Sequence, residues 1–223
     1  MSLLMLDLDD TLVVREPVLR AWGERLIERH SLRVDLDGLV ELEGGGLRDR
    51  HEVYDDLVAA GFPGSFDDFT DAQDDVARGY RLTDETRQAL EQARAAGWTL
   101  AVVTNGFVRR QEMKLRGSGL YEMVDAVCIS EEVGVRKPDP LIFATAAARA
   151  GATLEGAWMV GDNVDADILG AHRAGVRSVQ LPCQDHRLEF TSGAQADLQA
   201  ADVADAVAQI LTLERAPASS RSS

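Results

Sequence analysis

Positive charge is scarce in this chain: 23 Lys+Arg face 38 Asp+Glu, a net charge of −15 over 223 residues. Polyanionic partners need clustered Lys and Arg to displace counterions, so nucleic acid and acidic membrane surfaces are both excluded as expected partners. Long apolar runs are also missing. No uncharged stretch approaches the roughly 20 residues that cross a bilayer, and Met1-Ser2-Leu3 carries none of the basic character of a secretory signal, so a cytoplasmic protein is expected. Cysteine is nearly absent, with two residues, too few for a disulfide framework. Cys128 lies in an apolar run and reads as a small buried hydrophobe, and Cys183 is equally unremarkable. Aromatics make up only 5%, and Trp22, Trp98 and Trp158 read as core rather than as binding platforms.

What remains is a regular alternation. Short apolar runs at 3–6, 100–103, 126–129, 157–160 and 178–181 are too short for helices and read as strands; without polar alternation, they predict burial on both faces. Between them, helices are expected at 84–96, 108–116, 140–150 and 165–174, each ended by a glycine: Gly97, Gly117, Gly151 and Gly175. This is the pattern of a parallel sheet covered by helices.

The alternation fails once, after the first strand, where about 85 residues separate it from the second, far more than a crossover requires. Apolar stripes at 15–29, 48–60 and 67–80 predict a small helical second domain there. It is acidic, and a solvated face is expected rather than calcium binding, for which the loop spacing is wrong. Gly44-Gly45-Gly46 lacks the flanks of a phosphate-binding loop and is expected to be a turn.

Chemistry concentrates at strand ends. Asp7 and Asp9 share one face at the end of the first strand, because side chains alternate with period two. Two acids held together raise the cost of ionising each other unless a cation intervenes, and the carboxyl ends of parallel strands are where ligands bind. Thr104, Lys137, Asp162 and Asp167 follow later strands. Several carboxylates with no His or Cys donors nearby select Mg²⁺ over zinc. An ammonium and a hydroxyl beside them suit a phosphate.

These residues, in this order, resemble the four motifs of the haloacid dehalogenase superfamily of phosphohydrolases, and the resemblance spans nearly the whole chain. It implies an α/β fold: a Rossmann-like, doubly wound parallel sheet core, 1–14 and 83–213, with an inserted all-helical cap domain, 15–82, and a tail, 214–223, too poor in apolar residues to fold. By the same resemblance Asp7 is the nucleophile, and Asp9 the acid/base. Thr104, Asn105 and Lys137 bind the phosphoryl group, with Thr104 and Lys137 counted in the catalytic set. Mg²⁺ is held by Asp7, the main-chain carbonyl of Asp9 and Asp162, supported by Asp167. Asp10 departs from the glycine common at its position. Thr104-Asn105-Gly106 followed by Gln111 and Lys114 is similar to the subgroup of nucleotidases and sugar-phosphate phosphatases.

The expected reaction is Mg²⁺-dependent hydrolysis of a small phosphorylated metabolite such as a nucleotide or sugar phosphate. A phosphomutase of the same superfamily and a receiver-like phosphoacceptor domain are the alternatives. Asp9 argues against carbon–halogen hydrolysis, which needs no acid for the leaving group. Arg48, Arg50, His51 and Arg81 are candidates to meet the leaving group, whereas His30, His172 and His186 lack metal-ligand spacing.

Overall fold

The computed structural model describes residues 2–44, 48–184 and 188–215. It divides into two compact units, Met1–Val13 with Arg81–Ser223, and Val14–Tyr80.

The first unit is built on strands β1 (Leu3–Leu6), β2 (Thr99–Thr104), β3 (Ala126–Ile129), β4 (Trp158–Gly161), β5 (Arg177–Gln180) and β6 (Leu198–Gln199). Every pairing is parallel and the order is β3-β2-β1-β4-β5-β6. This is the doubly wound α/β fold. All residues of β1, β2 and β4 are buried, which is why their sequences are almost wholly apolar, Thr99 and Thr104 at the two ends of β2 being the polar exceptions. Leu3, Met5, Ala101, Val103, Cys128 and Met159 form one core with Ile142, Phe143 and Ala146. Trp98 and Trp158 are buried as expected. The strand order reverses between β1 and β4, and such a switch point leaves a crevice outside the carboxyl ends of those two strands.

The second unit comprises α1 (Glu16–His30), α2 (Leu36–Glu43), α3 (Arg50–Ala59) and α4 (Phe66–Arg78) around Trp22, Leu39, Val53, Leu57 and Phe69. Helix starts are capped by side chains: Asp35 accepts from Gly38 N, Asp49 from His51 N, and Ser65 exchanges bonds with Asp68 as a capping box. Helix α2 was not expected; its eight residues hold Gly38 in the first turn, too short and broken a stripe to read. Gly44, at φ 66°, closes it, while Gly45 and Gly46 lie outside the described residues.

The core helices are α5 (Asp84–Ala95), α6 (Val108–Ser118), α7 (Ser130–Val133), α8 (Pro140–Arg149), α9 (Leu169–Arg173) and α10 (Val203–Arg215). Helix α6 runs through Gly117 and stops instead at Gly119, the residue that takes the left-handed conformation at φ 76°. The helix expected over 165–174 is split, a π-helical turn at Val164–Ile168 preceding α9. Residues 214 and 215 end α10, with Glu214 paired to Arg177 at 2.8 Å, rather than beginning a tail; the rest of the expected tail lies outside the described residues. Among the described residues no helix is long and apolar enough to cross a membrane.

Candidate active site

The site grows from the tip of β1. Asp7 N donates to Val160 O at 3.0 Å, extending the β1–β4 ladder past Leu6. The chain then turns sharply: Leu12 N and Val13 N both donate to Leu8 O at 3.0 Å, and Asp10 takes φ 57°. That left-handed conformation explains a glycine preference here, and Asp is among the few side chains that tolerate it. The turn delivers Thr11, whose Oγ1 donates to Asp162 Oδ1 at 3.3 Å and so ties the tip of β1 to that of β4.

Lys137 enters from the loop before α8. Its main chain is clamped by one side chain: Asn105 Oδ1 accepts from Lys137 N at 2.9 Å, and Asn105 Nδ2 donates to Lys137 O at 3.1 Å. The buried ammonium then lies 2.7 Å from Asp7 Oδ1 and 2.6 Å from Asp167 Oδ1. Both oxygens are buried, and that ammonium is the partner each of them has at this distance. Burial alone would lower the Lys137 ammonium, but Asp167 and Asp7 outweigh it and hold it above its ordinary value. Burial raises the Asp7 carboxyl well above the carboxylate range, Lys137 opposing and Asp167 and Asp162 adding to the rise. Burial, then Asp167 and Asp10, push Asp162 up to about 7.

Asp167 sits on the π-helical turn after β4, fully buried; its Oδ2 accepts from Asn163 N at 3.1 Å. Gly161 makes this possible, since a Cβ there would overlap the Asp167 carboxylate. Asp7, Asp162 and Asp167 thus each offer an oxygen within 4.8 Å of the others. Three hard carboxylate donors within reach of one point, balanced by a single ammonium, fit a divalent cation.

Asp9 belongs to a different group. Lys114 Nζ donates to its Oδ1 at 2.6 Å and Oδ2 at 2.8 Å, and Gln111 Nε2 donates to Oδ2 at 2.9 Å. The same amide nitrogen donates to Thr104 Oγ1 at 2.6 Å, so Thr104 and Asp9 are linked through Gln111.

A family model for haloacid dehalogenase-like hydrolases matches residues 1–175. The chain belongs to that family. As a hydrolase of this kind it is 34% identical over 218 residues to the phosphoserine phosphatase of Thermus thermophilus, covering 80% of this chain and 88% of that protein. It is 46% identical over 92 residues to the glyceraldehyde 3-phosphate phosphatase of Methanopyrus kandleri, covering 41% of this chain and 40% of that one. Among solved structures, a phosphatase of the family from Thermococcus onnurineus matches with a TM-score of 0.65 at 21% identity, covering 95% of this chain and 98% of the other, which shows the shared fold.

Within this hydrolase the structure brings Asp7, Lys137, Asp162 and Asp167 together, and joins Thr104 to Asp9. Asn105, expected at the substrate, has both ends of its amide on the Lys137 main chain. Of the insertion's candidates, Arg48 pairs with Asp56 at 2.9 Å, Arg50 with Glu43 at 2.9 Å, and the His51 ring stacks on Phe66. Arg81 falls in the core unit, where it donates to Gly117 O at 2.9 Å. His30 packs edge-on against Phe62, and His186 lies outside the described residues. Sequence reasoning missed three contacts: Thr11 on Asp162, and Gln111 and Lys114 on Asp9. The last two are spaced i, i+3 on α6, a shared helix face, but nothing in the sequence says what that face meets.

Proposed function

We propose that this phosphatase hydrolyses small phosphate monoesters with Mg²⁺ and an aspartyl-phosphate intermediate. The observation that carries the reading is the Lys137 ammonium set between the Asp7 and Asp167 carboxylates, with Asp162 alongside, at the switch point of the sheet. Asp7 and Asp162, with Asp167 beside them and the Asp9 carbonyl, would hold the cation, which when bound supplies positive charge to the phosphoryl oxygens. An Asp7 oxygen attacks phosphorus as the bond to the leaving oxygen breaks, and the Asp9 carboxyl gives that oxygen its proton. Asp9, now ionised, takes a proton from water as that water attacks the phosphorus carried by Asp7, releasing inorganic phosphate and restoring both carboxyl groups. Lys137 orients Asp7 and Thr104 donates to the phosphoryl group.

Relatives named for phosphoserine and sugar phosphates support a small phosphorylated substrate, as does the acidic chain, which disfavours polyanions. The test is phosphate release across phosphoserine, sugar phosphates and nucleoside monophosphates with millimolar Mg²⁺. Turnover is expected with Mg²⁺ and not with EDTA, and Asp7→Asn should lower it about 10³-fold or more while the protein stays folded. Undiminished turnover in that variant would overturn the nucleophile assignment; isomer interconversion faster than phosphate release would make the chain a mutase.

A further inference from the structure

Of the 23 basic residues, 21 are arginine, and the only lysines are Lys114 and Lys137. Both meet an aspartate of the β1 tip: Lys137 meets Asp7, and Lys114 meets Asp9. Surface ion pairs in this chain are made by arginine, such as Arg20 with Glu16, Arg48 with Asp56 and Arg149 with Glu132. A lysine at position 114 is therefore not the chain's usual way of adding charge. An ammonium is a compact point charge that two oxygens of one carboxylate can share from a single atom, whereas a guanidinium must spread over both.

The surroundings are built for the contact. Gln111 is buried and spends its Nε2 on Asp9 and Thr104 together. Gly106 leaves the room: a Cβ there would come within 2.8 Å of the Gln111 side chain. The start of α6 is fixed by Glu131, whose Oε2 accepts from Val108 N at 2.8 Å, so residues 111 and 114 face Asp9 from a helix whose N-terminus is anchored.

The geometry points to Lys114 and Gln111 as positioning residues that set the direction of the Asp9 carboxyl toward the leaving oxygen. This rests on the reading of Asp9 as the acid. A group that aims the acid matters in proportion to how badly the leaving group needs a proton. An alkyl ester expels a strongly basic alkoxide, whereas p-nitrophenolate departs without help.

The experiment compares kcat/KM for glycerol 2-phosphate and p-nitrophenyl phosphate with Mg²⁺ in the intact chain, its Lys114→Met variant and its Lys114→Arg variant. Lys114→Met should lose about 100-fold on glycerol 2-phosphate and less than about fivefold on p-nitrophenyl phosphate, with Lys114→Arg recovering part of the former. The aryl ester doubles as the check that the variant is folded. Equal losses on both esters would overturn the inference by assigning Lys114 to the phosphoryl group or to the fold, and a gain on the alkyl ester would show that the contact holds Asp9 away. Absence of phosphate release from either ester by the unaltered chain would instead sink the phosphatase reading itself.

Discussion

The two units of the chain treat charge in opposite ways. In the sheet unit, Asp7, Lys137, Asp162 and Asp167 are buried together. In the helical insertion, Arg20 pairs with Glu16 and Asp37, and Arg78 with Asp75, in largely exposed contacts, and the interior is filled by Leu, Phe, Val and Trp side chains. Removing a charge from water costs several kcal/mol unless its partners restore the loss, so a buried cluster of three carboxylates around one ammonium is unfavourable as packing alone. The sheet unit carries that cost at the switch point of its sheet. Among the described residues of the insertion, the buried polar side chains are Glu43, Gln73 and Asp74, Glu43 being paired with Arg15 and Arg50, and the rest of its interior is apolar.

The contrast breaks first if the acidic cluster behaves like a surface. Asp162 is held near 7 in the folded protein, against a value near 4 when unfolded. The folded state therefore keeps a proton that the unfolded chain has released, so this group's contribution to stability is complete below about pH 4 and is lost as pH rises through about 7. Thermal midpoints of the metal-free protein should fall by about 5 °C or more between pH 5 and pH 8. Mg²⁺ should raise the midpoint more at pH 8 than at pH 5. General repulsion from the acidic chain acts in the same direction, so the decisive measurement is Asp162→Asn, which should flatten both dependences and abolish most turnover. An unaltered slope in that variant would mean that the cluster is not where the pH dependence arises.

The same contrast explains what could be read before the structure. Strand runs such as 3–6 and 100–103 were legible because burial on both faces removes every polar interruption, whereas 126–129 forms the edge strand β3, with Val127 only partly buried. Asp7 was legible as the polar residue that ends a buried apolar strand, but the shared face expected for Asp7 and Asp9 does not give them shared partners: β1 ends at Leu6, the chain turns from Leu8, and Asp9 meets Lys114 and Gln111 while Asp7 meets Lys137. The pairing of Asp9 with Lys114 was not legible, since 105 positions separate them and a helix face names no partner. Nor was the π-helical turn at Val164–Ile168, which places Asp167 beside Lys137. Helix α2 and the two-residue β6 were too short to show a period. In the insertion the apolar stripes indicated helices, but the charges between them carried no signal about what they touch, because solvated charges are free of such constraint.

A smaller effect sharpens the comparison from the other side. Leu57, 1% exposed in the insertion core, should cost about 2–5 kcal/mol on truncation to Ala, as a buried side chain whose cavity collapses only in part. Chemical denaturation that reports the insertion should show this loss without any change in Mg²⁺ affinity. A shift in Mg²⁺ affinity instead would mean that the two units share one energetic network.

The least effect is expected where the insertion is most charged. Arg20 Nε and Nη2 contact Glu16 and Asp37 at 2.7 and 2.8 Å, and the partners are 54% and 80% exposed. Such pairs gain little Coulomb energy in water, and each must hold a long side chain in one rotamer. Salt screens what remains. Arg20→Ala should therefore leave the denaturation midpoint almost unchanged, and any difference should vanish in about 1 M salt. A clear drop in that midpoint that persists in high salt would show Arg20 acting through its aliphatic stem or a buried partner, and the division between a buried charged cluster and a solvated charged exterior would no longer describe this chain.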